Sequence, residues 1–207
     1  MPRGPAEWWL RGVCKIMKDK VNLKIISGAQ TGADVAGLWA AKLFNISTGG
    51  WAPKGFMTLN GPHPEMAETF GIKEHFKAGY HDRTIANIQD ANMTIVCSEK
   101  MSAGTKLTIN QCKKENKTCV FFKLYPEDIS YSLDTANFDK IILNFNKFKL
   151  LNLPFTINIA GNSTKNSARS FEFTFKLCYK LFYEIGFTTE LDINDWKKYK
   201  DTYKGGI

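Results

Sequence analysis

The 207-residue sequence has no long apolar run, and no stretch approaches the roughly 18 consecutive apolar residues that a membrane-spanning helix needs. Charged residues interrupt the N-terminal segment, so a secretory signal is not predicted. Five cysteines are an odd number and include no CxxC pair, which argues against a disulfide framework and a cysteine zinc site. These absences favour a cytoplasmic protein with no membrane association.

Histidine and arginine are scarce, with three and four residues. The histidines form no pair at metal-ligand spacing, no Cys–His arrangement is evident, and no GxSxG elbow occurs. We therefore predict neither catalytic residues nor metal ligands. Lysine supplies 24 of the 28 basic residues and leaves a net charge of +8. Such a surplus attracts anions, but specific nucleic-acid reading usually needs arginine, so a nucleic-acid-associated module is only a third hypothesis.

Composition changes along the chain predict its division into segments. Residues 1–20 are expected to be a disordered tail or an over-extended start, although Trp8 and Trp9 leave a partner-binding anchor open. Residues 21–187 are expected to form a single ligand-binding domain, since 43% of the sequence is hydrophobic and can supply one core. Residues 188–207 are expected to form a C-terminal tail.

Hydrophobic periodicity predicts alternating strands and helices. Strands are predicted at 23–27, 46–50, 93–97, 118–123 and 154–160. Helices are predicted at 35–43, 80–90, 104–116 and 171–185. A long loop is predicted at 51–64, and 125–153 shows no clear pattern. The alternation favours an α/β fold: a parallel sheet with helices on both faces.

A polar, glycine-bearing turn follows the first strand. Glycines allow close backbone approach to a ligand, N–H groups at a helix start attract anions, and Gln30 and Thr31 can bind a phosphate or a heterocycle edge. The turn matches neither GxGxxG nor a Walker loop, so a turn needed only for packing remains the alternative. The predicted ligand-binding residues here are Gly28, Ala29, Gln30, Thr31, Gly32 and Asp34.

Two further turns are expected at the same sheet edge, where ligands of open α/β sheets bind. Ser102, Gly104 and Thr105 start a helix and suit an oxyanion, although Ser102 could be a simple N-cap. Residues 160–164 form the third turn. Convergence of these turns would make one site for an elongated anionic ligand.

Two cations are further candidates for contacts to the ligand. Arg83 is an arginine in a lysine-rich chain, which indicates a geometric need such as a bidentate grip on phosphate; a structural salt bridge is the alternative. Lys54 lies in the long loop.

Five segments occur in a recognisable order. They are ISGAQTGAD at 26–34, GGWAPKG at 49–55, spaced residues between Glu68 and Asp90, GTKLT at 104–108 and INIAG at 157–161. Together they resemble the putative molybdenum carrier family, whose relatives are bacterial and algal molybdenum-cofactor carrier proteins.

The resemblance implies a Rossmann-like fold shared with cytokinin-activating phosphoribohydrolases and nucleotide-sensing domains. It also implies a homo-oligomer and a phosphorylated or nucleotide-like small-molecule ligand, with the pterin molybdenum cofactor as the named candidate. Several positions depart from the family pattern: Ala29 and Ala103 replace glycines, Val35 and Phe56 replace arginines, and Ala52 replaces a cysteine. Thr108 stands where the phosphoribohydrolases have their catalytic glutamate, which disfavours that mechanism.

The leading hypothesis is a binding protein for a phosphorylated cofactor, for carriage or storage, rather than an enzyme. A nucleotide sensor of the same superfamily is one alternative. Another is a nucleotide-processing enzyme that cleaves a glycosidic or phosphate bond. Its general acid or base would be one of four carboxylates: Asp34, Glu68, Asp82 or Asp90.

Overall fold

The computed structural model describes residues 22–124 and 135–200. The predicted tail at 1–20, with Trp8 and Trp9, lies outside the described residues, as do 201–207. The boundaries proposed for the two tails therefore stay predictions. No helix in the described ranges is long and apolar enough to cross a lipid bilayer.

Six parallel strands form the main sheet, in the order β5-β2-β1-β8-β6-β7, and β3 and β4 form a small antiparallel pair. The strands are β1 (Leu23–Ser27), β2 (Ser47–Ala52), β3 (Met57–Thr58), β4 (Gly61–Pro62), β5 (Ile72–Glu74), β6 (Met93–Ser98), β7 (Thr118–Lys123) and β8 (Phe155–Gly161). The last strand of the described residues, β8, is central: Ile157 pairs with Ile25 of β1, and Ile159 pairs with Ile95 of β6.

Seven α-helices occur in the described residues. They are α1 (Ala33–Leu43), α2 (Met66–Phe70), α3 (Tyr80–Asp90), α4 (Ala103–Lys114), α5 (Thr135–Leu150), α6 (Ser170–Glu184) and α7 (Trp196–Tyr199). Helix α1 packs on α6 over one face of the sheet, and α3 packs on α4 over the other. The α/β, Rossmann-like fold with helices on both faces is therefore confirmed, as a single domain.

The core explains why these segments take these positions. All six residues of β6 are buried, as a parallel strand covered on both faces requires. Helix α6 buries Phe171, Phe175, Cys178 and Phe182 at three- and four-residue steps, and each fully buried phenylalanine contributes about 1.5–3 kcal/mol. Helix α1 lies directly on β8, because a Cβ atom at Gly37 would stand 2.7 Å from the Ile159 side chain.

The structure adds elements where the sequence pattern was weak. The strand predicted at 46–50 runs to Ala52, so the loop begins two residues later than predicted. Helix α2 and strand β5 have five and three residues, too few to show a period. Helix α5 occupies part of the unassigned region 125–153. Within the predicted C-terminal tail, Trp196 of α7 is buried and packs near α1 and α6.

Candidate functional site

A cavity of about 460 Å³ opens at the carboxyl edge of the sheet. The chain leaves β1 towards β2 and leaves β6 towards β7, so this edge contains the point where strand order reverses, the usual ligand position in such folds. The volume falls within the range of small-molecule sites. The lining includes Gln30 and Asp34, Tyr80, Arg83 and Thr84 of α3, Ser102, Ala103 and Gly104, Asn158 of β8, and Gly161 and Ser163.

The turn between β1 and α1 has a fixed backbone conformation. Ala29 has a φ of 53°, a left-handed value that glycine adopts more readily than alanine, and Gly32 has a φ of 90°. A Cβ atom at Gly32 would also lie 2.5 Å from the Asn162 carbonyl oxygen. Both conformation and packing therefore require glycine at position 32.

Most N–H groups of this turn already have acceptors within the protein. Ala29 N–H donates to Ser27 Oγ at 3.0 Å, and Thr31 N–H donates to Gln30 Oε1 at 2.9 Å. Gln30 N–H donates to Asp34 Oδ2 at 3.3 Å. The predicted use of these groups as ligand donors would require the loss of internal hydrogen bonds.

Asp34 and Arg83 form an ion pair at the wall of the cavity. Arg83 Nη1 donates to Asp34 Oδ2 at 3.0 Å, and the side chains are 12% and 6% exposed. Burial raises the pKa of the Asp34 carboxyl above its ordinary value, while Arg83 and the N–H groups of Gln30 and Gly28 act in the opposite direction. The salt bridge considered as the alternative role of Arg83 is therefore present.

Arg83 also has donor capacity left for a ligand. Its guanidinium lies over the bare backbone of Gly28, since a Cβ atom there would stand 1.2 Å from Nη1. The bond to Asp34 uses one of the five N–H donors of the guanidinium. The ring of Tyr80 lies 5.8 Å from Arg83 Cζ. Arg83 can thus hold Asp34 and contact a ligand at the same time.

The start of α4 offers two further donors. Ser102 is the N-cap and accepts a hydrogen bond from Thr105 N–H at 3.2 Å, as its alternative role predicted. Within the described residues, the N–H groups of Ala103 and Gly104 make no hydrogen bond, and both residues line the cavity. The N-terminus of a helix with free N–H groups attracts an anion.

Asn162 joins the three turns of the site. Its Oδ1 accepts hydrogen bonds from the N–H groups of Glu99 and Lys100 at 2.8 and 3.0 Å, in the turn that follows β6. Its backbone oxygen accepts from Ala33 N–H at 3.0 Å, at the start of α1. The sequence predicted that the third turn joins the others, but it did not single out Asn162 as the residue that connects them.

Side-chain hydrogen bonds also hold α3 against β2. Asn87, buried on α3, accepts from Trp51 N–H at 2.9 Å and donates to the Trp51 carbonyl at 3.0 Å. Trp51 Nε1 donates to Asp90 at 2.7 Å. These contacts fix the helix that carries Arg83.

Among the four carboxylates considered for acid–base chemistry, Asp34 alone lines the cavity. Asp90 accepts the indole hydrogen bond, Asp82 pairs with Lys77 at 3.0 Å on the surface, and Glu68 is exposed on α2.

The structure separates the predicted site residues into three groups. Those that line the cavity are Gln30, Asp34, Arg83, Ser102 and Gly104. Those that build the turns without lining it are Gly28, Ala29, Thr31, Gly32 and Thr105, and the Thr105 hydroxyl faces Ser98 and Ser102 instead. Lys54 is exposed in the 3₁₀ turn Lys54–Phe56 and does not line the cavity.

Several lining residues were not predicted. Asn158 is buried in β8 and Tyr80 lies at the start of α3. Asn158 interrupts an apolar strand between Ile157 and Ile159, and that interruption is the signal that could have identified it. No group of three or more metal-ligating side chains occurs in residues 22–124 and 135–200.

The chain is similar to one known protein family and to one solved structure. A family model described as the circularly permutated YpsA SLOG family matches residues 25–176. A putative molybdenum carrier protein from Syntrophus aciditrophicus SB, known from a crystal structure, is 28% identical, with a TM-score of 0.60 over 82% of this chain and 98% of that chain. No curated protein matches the sequence.

Proposed function

The chain belongs to the circularly permutated YpsA SLOG family, and from that membership we propose that it binds a small phosphorylated cofactor or nucleotide-like ligand. One observation supports this most directly. Arg83 has guanidinium donors left over from its bond to Asp34, and it lines one cavity at the strand-order reversal. Ala103 and Gly104 line the same cavity, and their N–H groups have no acceptor in the described residues. A single phosphate group matches those donors, because charged oxygens form the strongest hydrogen bonds to such groups.

The finer proposal is that the ligand is the pterin molybdenum cofactor, as cargo. The solved relative is named as a putative molybdenum carrier protein, which supports this choice. The residues fit the organic part of such a cargo: Arg83 and the α4 N-terminus suit its phosphate, and Gln30 and Asn158 suit the polar edge of a pterin ring. The described residues contain no group of side chains that could coordinate the metal, so the protein would bind this cargo through contacts to its organic part.

Purification followed by native mass spectrometry tests this proposal. A pterin or molybdenum species released on denaturation would support the carrier function, whereas a nucleotide would support the sensor. The identified ligand is then titrated calorimetrically into Arg83→Ala, for which we expect a loss of about 1–3 kcal/mol, the scale of a charged hydrogen bond. Lys180→Ala, which removes a cation from the exposed side of α6, is the matched control. Equal affinities of Arg83→Ala and the control would contradict the proposal.

A second candidate is a nucleotide-processing enzyme with Asp34 as general acid or base. Its support is that Asp34 lines the cavity and that burial raises the pKa of its carboxyl towards the range useful for proton transfer. Product formation from nucleoside monophosphates or NAD, abolished in Asp34→Asn, would favour it. Absence of turnover by the wild-type protein would refute it.

We also expect a homo-oligomer, as the family resemblance implies. Light scattering after size-exclusion chromatography measures the mass in solution, and a mass of 23.4 kDa would contradict the expectation.

A further inference from the structure

The donors of the β1–α1 turn converge on a carboxylate that belongs to the protein. Asp34 Oδ2 accepts from Gln30 N–H at 3.3 Å and from Arg83 Nη1 at 3.0 Å. The N–H group of Gly28 also favours the ionised carboxyl. In glycine-rich turns of this kind, a ligand's phosphate oxygens take such positions. Here Asp34 takes them, and its side chain is only 6% exposed.

The charges of the cavity lining also limit how many phosphate groups the cavity can hold. Arg83 is the one positive and Asp34 the one negative side chain among the residues that line the cavity in the described structure. The two are paired, so the lining has no net charge. One phosphate can be held by the remaining donors of Arg83 and by the start of α4. A second phosphate would meet the Asp34 carboxylate with no further cation to offset the repulsion.

We propose that Asp34 is a specificity-determining residue, whose carboxylate takes up the donors that a second phosphate would need. The cavity therefore accepts ligands with one phosphate group and disfavours diphosphates and triphosphates. This inference rests on the proposed phosphate-ligand function and narrows its ligand class.

Gln30 indicates what the rest of such a ligand presents. Its Oε1 accepts two backbone hydrogen bonds, from Thr31 N–H at 2.9 Å and from Leu59 N–H at 3.0 Å. Only an oxygen can accept both, so the orientation of the amide is fixed and its NH₂ group is left as the donor for the cavity. A ligand acceptor, such as a ring carbonyl, satisfies it.

Inorganic phosphate and pyrophosphate are the probes that test the inference, because they separate phosphate number from the rest of the ligand. Each is titrated into ¹⁵N-labelled full-length protein, and the amide shifts of Ala103 and Gly104 report binding. We expect wild-type protein to bind pyrophosphate no more tightly than phosphate. In Asp34→Asn, the ratio of pyrophosphate to phosphate affinity rises by about tenfold, the scale of one lost charge repulsion near a protein surface.

Asp82→Asn is the charge-matched control, because it removes one partly exposed carboxylate on the same helix as Arg83, and it leaves the ratio unchanged. Pyrophosphate binding about tenfold tighter than phosphate in the wild type would overturn the inference while leaving the proposed function intact. An unchanged ratio in folded Asp34→Asn would also overturn it. If neither anion binds, both the inference and the phosphate-binding proposal fail. The wild-type ratio decides the question even if Asp34→Asn does not fold.

Discussion

Replacement of Arg83 by methionine is the most informative perturbation of this protein. Methionine keeps much of the length and apolar contact of the side chain but removes the guanidinium. Asp34 is then left buried without its cation, and only the backbone N–H groups still stabilise its charge. The change therefore measures what the ion pair contributes to stability, separately from any ligand.

The burial of the pair sets the magnitude. With side chains 12% and 6% exposed, the pair is largely shielded from water, and loss of one partner of a buried pair costs about 3–5 kcal/mol. Asp34 retains its bond from Gln30 N–H, and it can take up a proton, and both reduce the cost. We expect Arg83→Met to lower the free energy of unfolding by about 3 kcal/mol near neutral pH.

The cost should depend on pH in a defined direction. Burial raises the pKa of Asp34 above its ordinary value of 3.8, and Arg83 opposes this, so its removal raises that pKa further. A carboxyl whose pKa is raised in the folded state stabilises the fold at pH values below its unfolded-state pKa. This stability is lost as the pH rises through the folded-state pKa. The penalty of Arg83→Met should therefore be smallest in acid and grow towards neutral pH.

Urea unfolding at an acidic and a neutral pH tests this. Lys77→Met serves as control, because it breaks the exposed pair with Asp82 and should cost under about 1 kcal/mol. The double variant Arg83→Met/Asp34→Asn should recover part of the loss, since no buried charge remains. Wild-type stability of Arg83→Met at neutral pH, or a penalty that is equal at both pH values, would refute the reasoning.

Four other substitutions have outcomes that the structure defines. Gly161→Ala should unfold the protein, because its Cβ would lie 1.9 Å from the Cys97 carbonyl oxygen, a backbone atom. At Gly28 the nearest atoms to an added Cβ belong to the Arg83 guanidinium, a side-chain group that can move, so Gly28→Ala should still fold, with lower stability and weaker ligand binding. Melting temperatures and titrations measure the two effects. Ser102→Ala removes the α4 N-cap and should lower the free energy of unfolding in urea by about 1 kcal/mol. An unchanged urea midpoint would contradict this. Asn87→Ala leaves backbone groups of Trp51 unpaired and should cost about 1–3 kcal/mol, which a melting temperature equal to that of the wild type would contradict.

Much of the fold follows from local patterns in the sequence. The strand predicted at 23–27 and the helix predicted at 80–90 have the observed bounds. The strand is an apolar segment that ends at Gly28, and the helix begins directly after Gly79. Strand β5 has three residues and is held by pairing with β2, which is a non-local interaction. Local sequence has no information about such a partner.

In the candidate site, too, local sequence predicts the backbone turns but not the contacts of the side chains. The motifs located the turns, and the rule for parallel sheets predicted that they meet. They could not show that Asp34 engages the turn's own donors, since that depends on a side-chain rotamer and on the position of α3. Nor could they show that the Thr105 hydroxyl faces Ser98, away from the cavity, or that Lys54 stands outside it.

The central position of β8 has a consequence for the order of folding. Strands β1, β2 and β5 form one half of the sheet and β6 and β7 form the other, and within the described residues only β8 hydrogen-bonds to both halves. A chain emerging from the ribosome can assemble each half early, but the halves form one continuous sheet only after residues 155–161 have been synthesised. The cavity draws on both halves, so a nascent chain truncated before β8 lacks the candidate site. The proposed ligand could therefore stabilise only late folding species.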